Sequence, residues 1–354
     1  MTGLRRLRLP RRAGRRTNVG LLALLLTAAG TGVLAYGFGT PTASAVIVAL
    51  HGAAGLGLLL LVPWKAVVIR RARRRSGGRR EAGAGIALGV LLAVTVVLGL
   101  VHIVGGGGPW PALGGITALQ LHVGAGIFVL PLLAAHARGT HQRLRAIDLS
   151  RRSLLRTGAL GLGAVALWAG TEGVLRIVGA PGAVRRGTGS YERGTGRPAE
   201  MPVTQWFTDS IPDSEAVALE VVGGGRRIRV PVAELDRGDT VRAVLDCTGG
   251  WYAEQEWGGV RLDHLLADVV EEELPADGSI DVVSVSGFRR RLPVRDAGVL
   301  LLAVSAGGEL LSPGHGAPVR LVAPGRRGFW WVKWVRRIEV VDEPWWLQPP
   351  FPLQ

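Results

Sequence analysis

Cys247 is the only cysteine in 354 residues, so no disulfide is open to it within the chain. Its thiol is therefore either an inert core group or a ligand. It closes an apolar run carrying Val241, Ala243, Val244 and Leu245, and Thr248-Gly249-Gly250-Trp251-Tyr252 follows directly. A strand that delivers a cysteine into a glycine turn leaves the sulfur at a strand end, where backbone and a bulky group can approach closely. That placement suits a metal thiolate; the plain alternative is a small buried hydrophobe. A second set of candidates lies upstream. Four of the seven histidines, His51, His102, His122 and His136, fall in or at the ends of long apolar runs. Imidazole is costly in hydrocarbon, and ligation of haem iron is its commonest use in a small helix bundle. The alternative is hydrogen bonding to neighbouring helices or to the interface.

The elements that must position these histidines are five runs nearly free of charge: Leu21–Phe38, Ala43–Val62, Ala82–Val104, Ile116–Ala135 and Leu154–Val178. Each is long enough to cross a hydrocarbon layer about 30 Å thick. Counted from the outer ends at about 1.5 Å per residue, His51 lies roughly 12 Å deep, His122 roughly 9 Å and His102 about 3 Å. His51 and His122 are thus the matched pair for one haem near the outer face. His136 follows His122 by 14 residues, so both point the same way along one helix. That spacing resembles helices of two-haem b-type cytochromes. The inner partner is missing, because the second run offers Lys65 at that depth and His141 lies in the following loop.

Basic residues fix the orientation, since arginine and lysine are retained on the cytoplasmic side. Residues 1–18 hold seven arginines, residues 65–81 eight basic residues with Glu81, and residues 138–156 six with Asp148, whereas loops 39–42 and 105–115 are uncharged. The N-terminus is therefore inside, and everything after the fifth span outside. Those three segments carry a net +19 in a chain whose total is +15, which leaves −4 elsewhere. The basic excess is a topology signal with some attraction to anionic lipid, not a nucleic-acid footprint. The fifth span opens with Ser150-Arg151-Arg152-Ser153-Leu154-Leu155-Arg156. This resembles the twin-arginine export signal, whose route moves folded proteins loaded with cofactor beforehand. Residues 179–202, rich in Gly, Pro and charge, read as a tether.

From residue 203 the pattern turns to short alternating runs. VALEVVGG, RRIRVPV, TVRAVLDC, SIDVVSVS and IEVV read as strands, and GVRLDHLLADVVEEE as a helix, which indicates an α+β domain. The run L-x-C-x-x-G-W at Leu245–Trp251, then Trp257-Gly258-Gly259-Val260 and LDHLLADV, resembles the molybdopterin-binding domain of the sulfite oxidase family. A second block from Ser286 to Val340, with HGAPVRL and VKW, matches that family's cofactor-binding half. The resemblance covers residues 203–345, with 346–354 as a tail, and implies that Cys247 ligates molybdenum.

It also implies that His315, Arg320 and Lys333 contact the cofactor. Gly314, Gly316 and Gly325 with Arg326 and Arg327 add backbone N–H groups and charge for the pterin phosphate. Lys333 is one of only two lysines, a hint that a compact ammonium is required there. Trp251 and Tyr252 are placed either to wall the metal pocket or to fill the core, and His264 to face solvent or pack. Sulfite-oxidising members place Asn and Arg soon after the cysteine. The Gly-Trp form here is closer to the periplasmic branch that includes the methionine sulfoxide reductase catalytic subunit, and no dimer of the sulfite oxidase type is expected. The sequence thus reads as a five-helix transmembrane bundle, like a b-type cytochrome over residues 1–149 with the signal and fifth span over 150–178. After the tether comes a sulfite-oxidase-like α+β domain. The expected function is molybdopterin-dependent oxo transfer on a small molecule, coupled through haem to a quinone or other redox partner. The alternatives are a non-catalytic binding module on a membrane anchor and a plain haem electron-transfer protein.

Overall fold

The computed structural model describes residues 14–37, 41–73, 79–105, 110, 115–140, 150–204, 210–212, 218–270 and 277–349. It divides into a helical unit, Met1–Ala35 with Thr42–Gly189, and a sheet unit, Ser190–Gln354 with Tyr36–Pro41. The helical unit comprises α1 (Arg15–Gly37), α2 (Pro41–Arg73), α3 (Arg79–Val104), α4 (Ala118–Thr140) and α5 (Arg151–Ile177). All five are long and apolar enough to cross a membrane. They present large aliphatic and aromatic side chains outward, Phe128, Leu162 and Ile177 among them, as a lipid-facing surface requires. Small residues let them approach. A Cβ on Gly57 of α2 would lie 2.9 Å from Ala164 of α5, and one on Gly52 would lie 2.1 Å from the Trp168 ring. Pro63 and Pro131 sit inside α2 and α4, and α2 runs well past the expected end at Val62 into the basic turn.

The sheet unit contains β1 (Tyr191–Glu192), β2 (Ala218–Gly223), β3 (Arg226–Pro231), β4 (Asp239–Cys247), β5 (Trp251–Arg261), β6 (Ser279–Ser284), β7 (Arg289–Pro293), β8 (Leu301–Ala306), β9 (Glu309–Leu310), β10 (Arg320–Val322) and β11 (Val335–Val341). One sheet runs β3-β2-β11-β6-β7. The other runs β1-β5-β8-β10, with β4 also pairing β5 and β9 pairing β8. Leucines and valines alternate inward from both and form one core with Trp257 and Trp331.

Two expectations are corrected here. The segment 259–273 does not form one helix: residues 259–261 end β5, and α6 spans only Leu262–Leu266, with 271–276 outside the described residues. The glycines explain it, because a Cβ on Gly259 would lie 2.0 Å from the Leu302 carbonyl oxygen, so only glycine lets β8 pair so closely. Nor is 179–202 a featureless tether. It holds short 3₁₀ turns, and its β1 pairs in parallel with β5, Tyr191 lying opposite Trp251.

Candidate active site

β4 and β5 are a hairpin in strict antiparallel register, Cys247 lying opposite Trp251, and Thr248-Gly249-Gly250 makes the turn. Gly250 takes a positive φ of 90° and donates its N–H to the Cys247 carbonyl at 3.1 Å, so glycine is what closes the loop. The Cys247 sulfur is half-buried and accepts the Gly249 N–H at 3.3 Å. Gly328 lies beneath it, and a Cβ there would come within 3.1 Å of the Cys247 Cα. Burial raises the thiol's pKa. The Gly249 N–H, the Thr204 hydroxyl and the charges of Lys333 and Arg327 oppose that rise, so the donors around the sulfur favour the thiolate a metal needs.

Cys247 shares one cleft with Thr204, Trp251, His315, Arg320 and Lys333. His315 sits on the single 3₁₀ turn Pro313–His315, with Nε2 3.1 Å from the Met201 carbonyl and Nδ1 2.8 Å from the Ser312 hydroxyl. A carbonyl only accepts, so Nε2 carries the proton and Nδ1 accepts from Ser312. Burial lowers the pKa of His315, and Arg320 and Lys333 lower it further, so the ring is neutral. Gly316 follows in the left-handed region (φ 107°), and a Cβ there would lie 3.0 Å from that of Arg320 and 3.2 Å from that of Lys333. It lines no part of the cleft; it lets the turn close on both cations.

Arg320 is 1% exposed and stacks over the rings of Trp257 and Trp331 at 5.0 and 5.6 Å. Its Nη1 donates to the His315 carbonyl at 3.0 Å, its Nε is without a partner, and no carboxylate pairs with it among the described residues. Burial pulls its pKa down to about 10. A buried guanidinium in this state is short of an anion. Lys333 donates to the carbonyls of Thr204 (2.9 Å) and Gly314 (2.6 Å), and Trp334 after it is held at a φ of 52°, a strained value for a bulky residue. A soft thiolate for the metal and a buried cation awaiting an anion fit a molybdenum–pterin phosphate group.

Arg327 stands apart from this set. Its Nη1 bonds Asp246 at 2.6 Å, both side chains are almost fully buried, and Ser190 donates to the same Asp246 oxygen at 2.7 Å. It does not line the cleft; it braces the strand that carries Cys247. Arg326 is likewise held by Asp296 at 2.6 Å. His264 is exposed and bonds Asp239.

In the helical unit, His51 Nε2 and His122 Nε2 face each other at 3.4 Å. His51 Nδ1 lies 2.9 Å from the Ala28 carbonyl and His122 Nδ1 2.7 Å from the Thr95 carbonyl. Each Nδ1 must therefore be the donor, and two neutral rings so fixed turn their Nε2 lone pairs toward one another. Such a pair calls for a proton or a metal ion between the two nitrogens. Metal–imidazole bonds of about 2 Å would separate the two nitrogens by about 4 Å, close to what is seen. Among the described residues no third histidine, cysteine or carboxylate completes a bare metal site, whereas a haem brings four ring nitrogens of its own. The pair fits haem. His102 is not part of it, since its Nε2 lies 3.0 Å from the Gly189 carbonyl. His136 packs by Gly85, and His141 lies outside the described residues.

Comparison with known proteins bears on the sheet unit. Residues 208–347 match the oxidoreductase molybdopterin binding domain family. The sheet unit is a molybdopterin-binding oxidoreductase domain. The chain is 29% identical over 239 residues to the protein-methionine-sulfoxide reductase catalytic subunit MsrP of Gluconobacter oxydans (strain 621H), covering 58% of this chain and 72% of that protein. It is 32% identical over 102 residues to the nitrate reductase (NADH) of Lotus japonicus, covering 25% of this chain but spanning only 11% of that enzyme. Among solved structures, the sulfane dehydrogenase SoxCD from Paracoccus pantotrophus aligns at 27% identity over 41% of each chain, with a TM-score of 0.34.

Within the molybdopterin-binding domain, sequence reasoning missed Thr204 and Asp246. Asp246 carried a signal, a carboxylate inside the apolar run Val241–Cys247. Thr204 carried none. It reaches the cleft because Met201 and Thr204 are tied to His315 and Lys333 from more than a hundred residues away in sequence.

Proposed function

We propose that this chain is a membrane-anchored, molybdopterin-dependent oxidoreductase that moves an oxo group to or from a small molecule and exchanges electrons through a haem in its helical bundle. The observation that carries the reading is the convergence on the Cys247 sulfur of hydrogen-bond donors, a neutral His315, a buried Arg320 and Lys333. Bound there, molybdenum supplies two-electron oxo-transfer chemistry, and haem supplies one-electron transfer. Cys247 holds the metal, while Arg320, Lys333 and His315, on the turn that Gly316 closes, hold the pterin's anionic end. Arg327 acts one layer further out, through Asp246. Trp251 walls the cleft against water. His51 and His122 hold the haem. Similarity to MsrP, named as a protein-methionine-sulfoxide reductase catalytic subunit, supports oxo-transfer chemistry at this site. The arginine-rich loops support an N-terminus in the cytoplasm, and the run at Ser150–Arg156 supports twin-arginine export of the folded domain. A quinone or a second redox protein in the cell membrane is the electron partner, with neither nucleic acid nor a dimer of the sulfite oxidase type involved.

The test uses the full chain purified from membranes of a host that makes molybdopterin. Metal analysis should find about one molybdenum per chain, and a reduced-minus-oxidised spectrum should show a b-type haem. Cys247→Ser should remove molybdenum and keep haem, and His51→Ala or His122→Ala should do the reverse. Full molybdenum in the Cys247→Ser protein sinks the assignment of the metal site. Haem retained in both histidine variants sinks that of the bundle.

A further inference from the structure

The short stretch Met201–Thr204 is bound to the cleft at every residue that can reach it. The Met201 carbonyl takes the His315 Nε2 proton at 3.1 Å. Val203 packs so closely on Gly314 that a Cβ there would lie 2.7 Å from it. Thr204 uses both ends. Its carbonyl accepts from Lys333 at 2.9 Å, and its Oγ1 accepts the Trp251 indole N–H at 3.0 Å. With the oxygen so engaged, the hydroxyl proton points away from Trp251, in a cleft that the Cys247 sulfur also lines. The Thr204 oxygen and the sulfur also flank Gly249 together, at 3.4 and 3.5 Å from where its Cβ would stand. Trp251 and Lys333, which line the cleft around the sulfur, thus meet in one threonine.

We infer that Thr204 is a positioning residue that aims the Cys247 sulfur and tunes its electron donation to the metal through an O–H···S hydrogen bond. The inference rests on the reading of Cys247 as the molybdenum ligand. A hydrogen bond to a metal-bound thiolate withdraws electron density from the sulfur, which makes the metal easier to reduce. The Gly249 N–H gives a second bond from the backbone. Only the threonine's can be removed by substituting a side chain, and Trp251 holds its direction.

The experiment compares wild-type holoprotein with Thr204→Ser, Thr204→Val and Thr204→Ala, reading molybdenum content, the Mo(V) paramagnetic resonance spectrum and the midpoint potentials. Thr204→Ser keeps the hydroxyl and should match wild type in all three. Thr204→Val and Thr204→Ala should shift the Mo(V) g-values and lower the potentials while retaining metal. Should the valine variant fail to fold, the smaller alanine variant carries the test alone. Spectra and potentials unchanged in Thr204→Ala, or shifted equally in Thr204→Ser, overturn the inference. A wild-type protein without molybdenum overturns the underlying reading of Cys247 instead, and is distinguished by the metal analysis.

Discussion

Asp246 is the residue whose loss the structure prices most sharply. Its carboxylate and the Arg327 guanidinium meet at 2.6 Å with side-chain exposures of 4% and 3%, and Ser190 donates to the same oxygen at 2.7 Å. Asp246→Ala leaves a guanidinium in the core facing no opposite charge and strands the Ser190 hydroxyl. Breaking a buried pair from one side costs about 3–5 kcal/mol, because the remaining charge stays desolvated. For a domain of this size that corresponds to a fall in melting temperature of roughly 10 °C. The assay is thermal unfolding of the cofactor-free protein, followed by tryptophan fluorescence. The double variant Asp246→Leu with Arg327→Met removes both charges, and replacing a buried pair by apolar groups is often neutral, so it should recover most of the loss. If Asp246→Ala melts within about 2 °C of wild type, or if the double variant is as unstable as the single, the pair is not the buried brace described here.

Three further outcomes follow from the same geometry. Arg320→Met should leave the cofactor-free fold intact, since it removes a cation that lacks a carboxylate, but should weaken retention of the molybdenum cofactor. A charge-assisted hydrogen bond of about 1.5–3 kcal/mol corresponds to roughly 10- to 150-fold, measurable by metal loss on dialysis. Because the pKa of His315 is depressed in the folded state, the unfolded chain binds its proton first as pH falls. Its contribution to stability is complete above about pH 6.5 and is lost as pH falls below that toward the depressed folded value, and His315→Gln should flatten this slope in denaturant titrations. In the bundle, a Cβ on Gly99 would stand 3.1 Å from the His122 ring, whereas one on Gly89 meets nothing within 4 Å. Gly99→Val should therefore lower the haem absorbance per chain and Gly89→Ala should not.

What was legible in the chain was whatever local pattern and depth decide. The alternation in Val241–Cys247 specifies β4, and the glycines after it specify a turn, so the sulfur at the strand end was readable from a dozen residues. The similar depths of His51 and His122 place them on one level, and the structure turns their Nε2 atoms toward each other at 3.4 Å. What was not legible depends on partners far away in sequence. Trp251–Arg261 reads as a turn leading into a helix because the apolar residues from Val260 to Val269 recur at helical spacing. Pairing of β5 with β4 on one side and β8 on the other overrides that spacing up to Arg261. The run Leu301–Ala306 is buried nearly throughout, so it shows no period by which to read it.

The five basic residues near the pterin motifs look alike in sequence, yet the structure separates them by what they bond. Arg326 and Arg327 are held by Asp296 and Asp246, so an incoming phosphate would have to break an ion pair to engage either. Arg320 donates to the carbonyl of His315, and Lys333 to those of Thr204 and Gly314. A neutral carbonyl is a weaker partner for a cation than an anion is, so a phosphate gains by taking over those bonds and leaves no charge unpaired. His315 belongs with the second group because its ring is neutral and can offer its Nε2 proton without adding charge. The division predicts which substitutions act on cofactor retention and which act on the fold. Arg320 and Lys333 fall in the first class. Arg326 and Arg327 fall in the second, although no spacing rule in the sequence tells them apart.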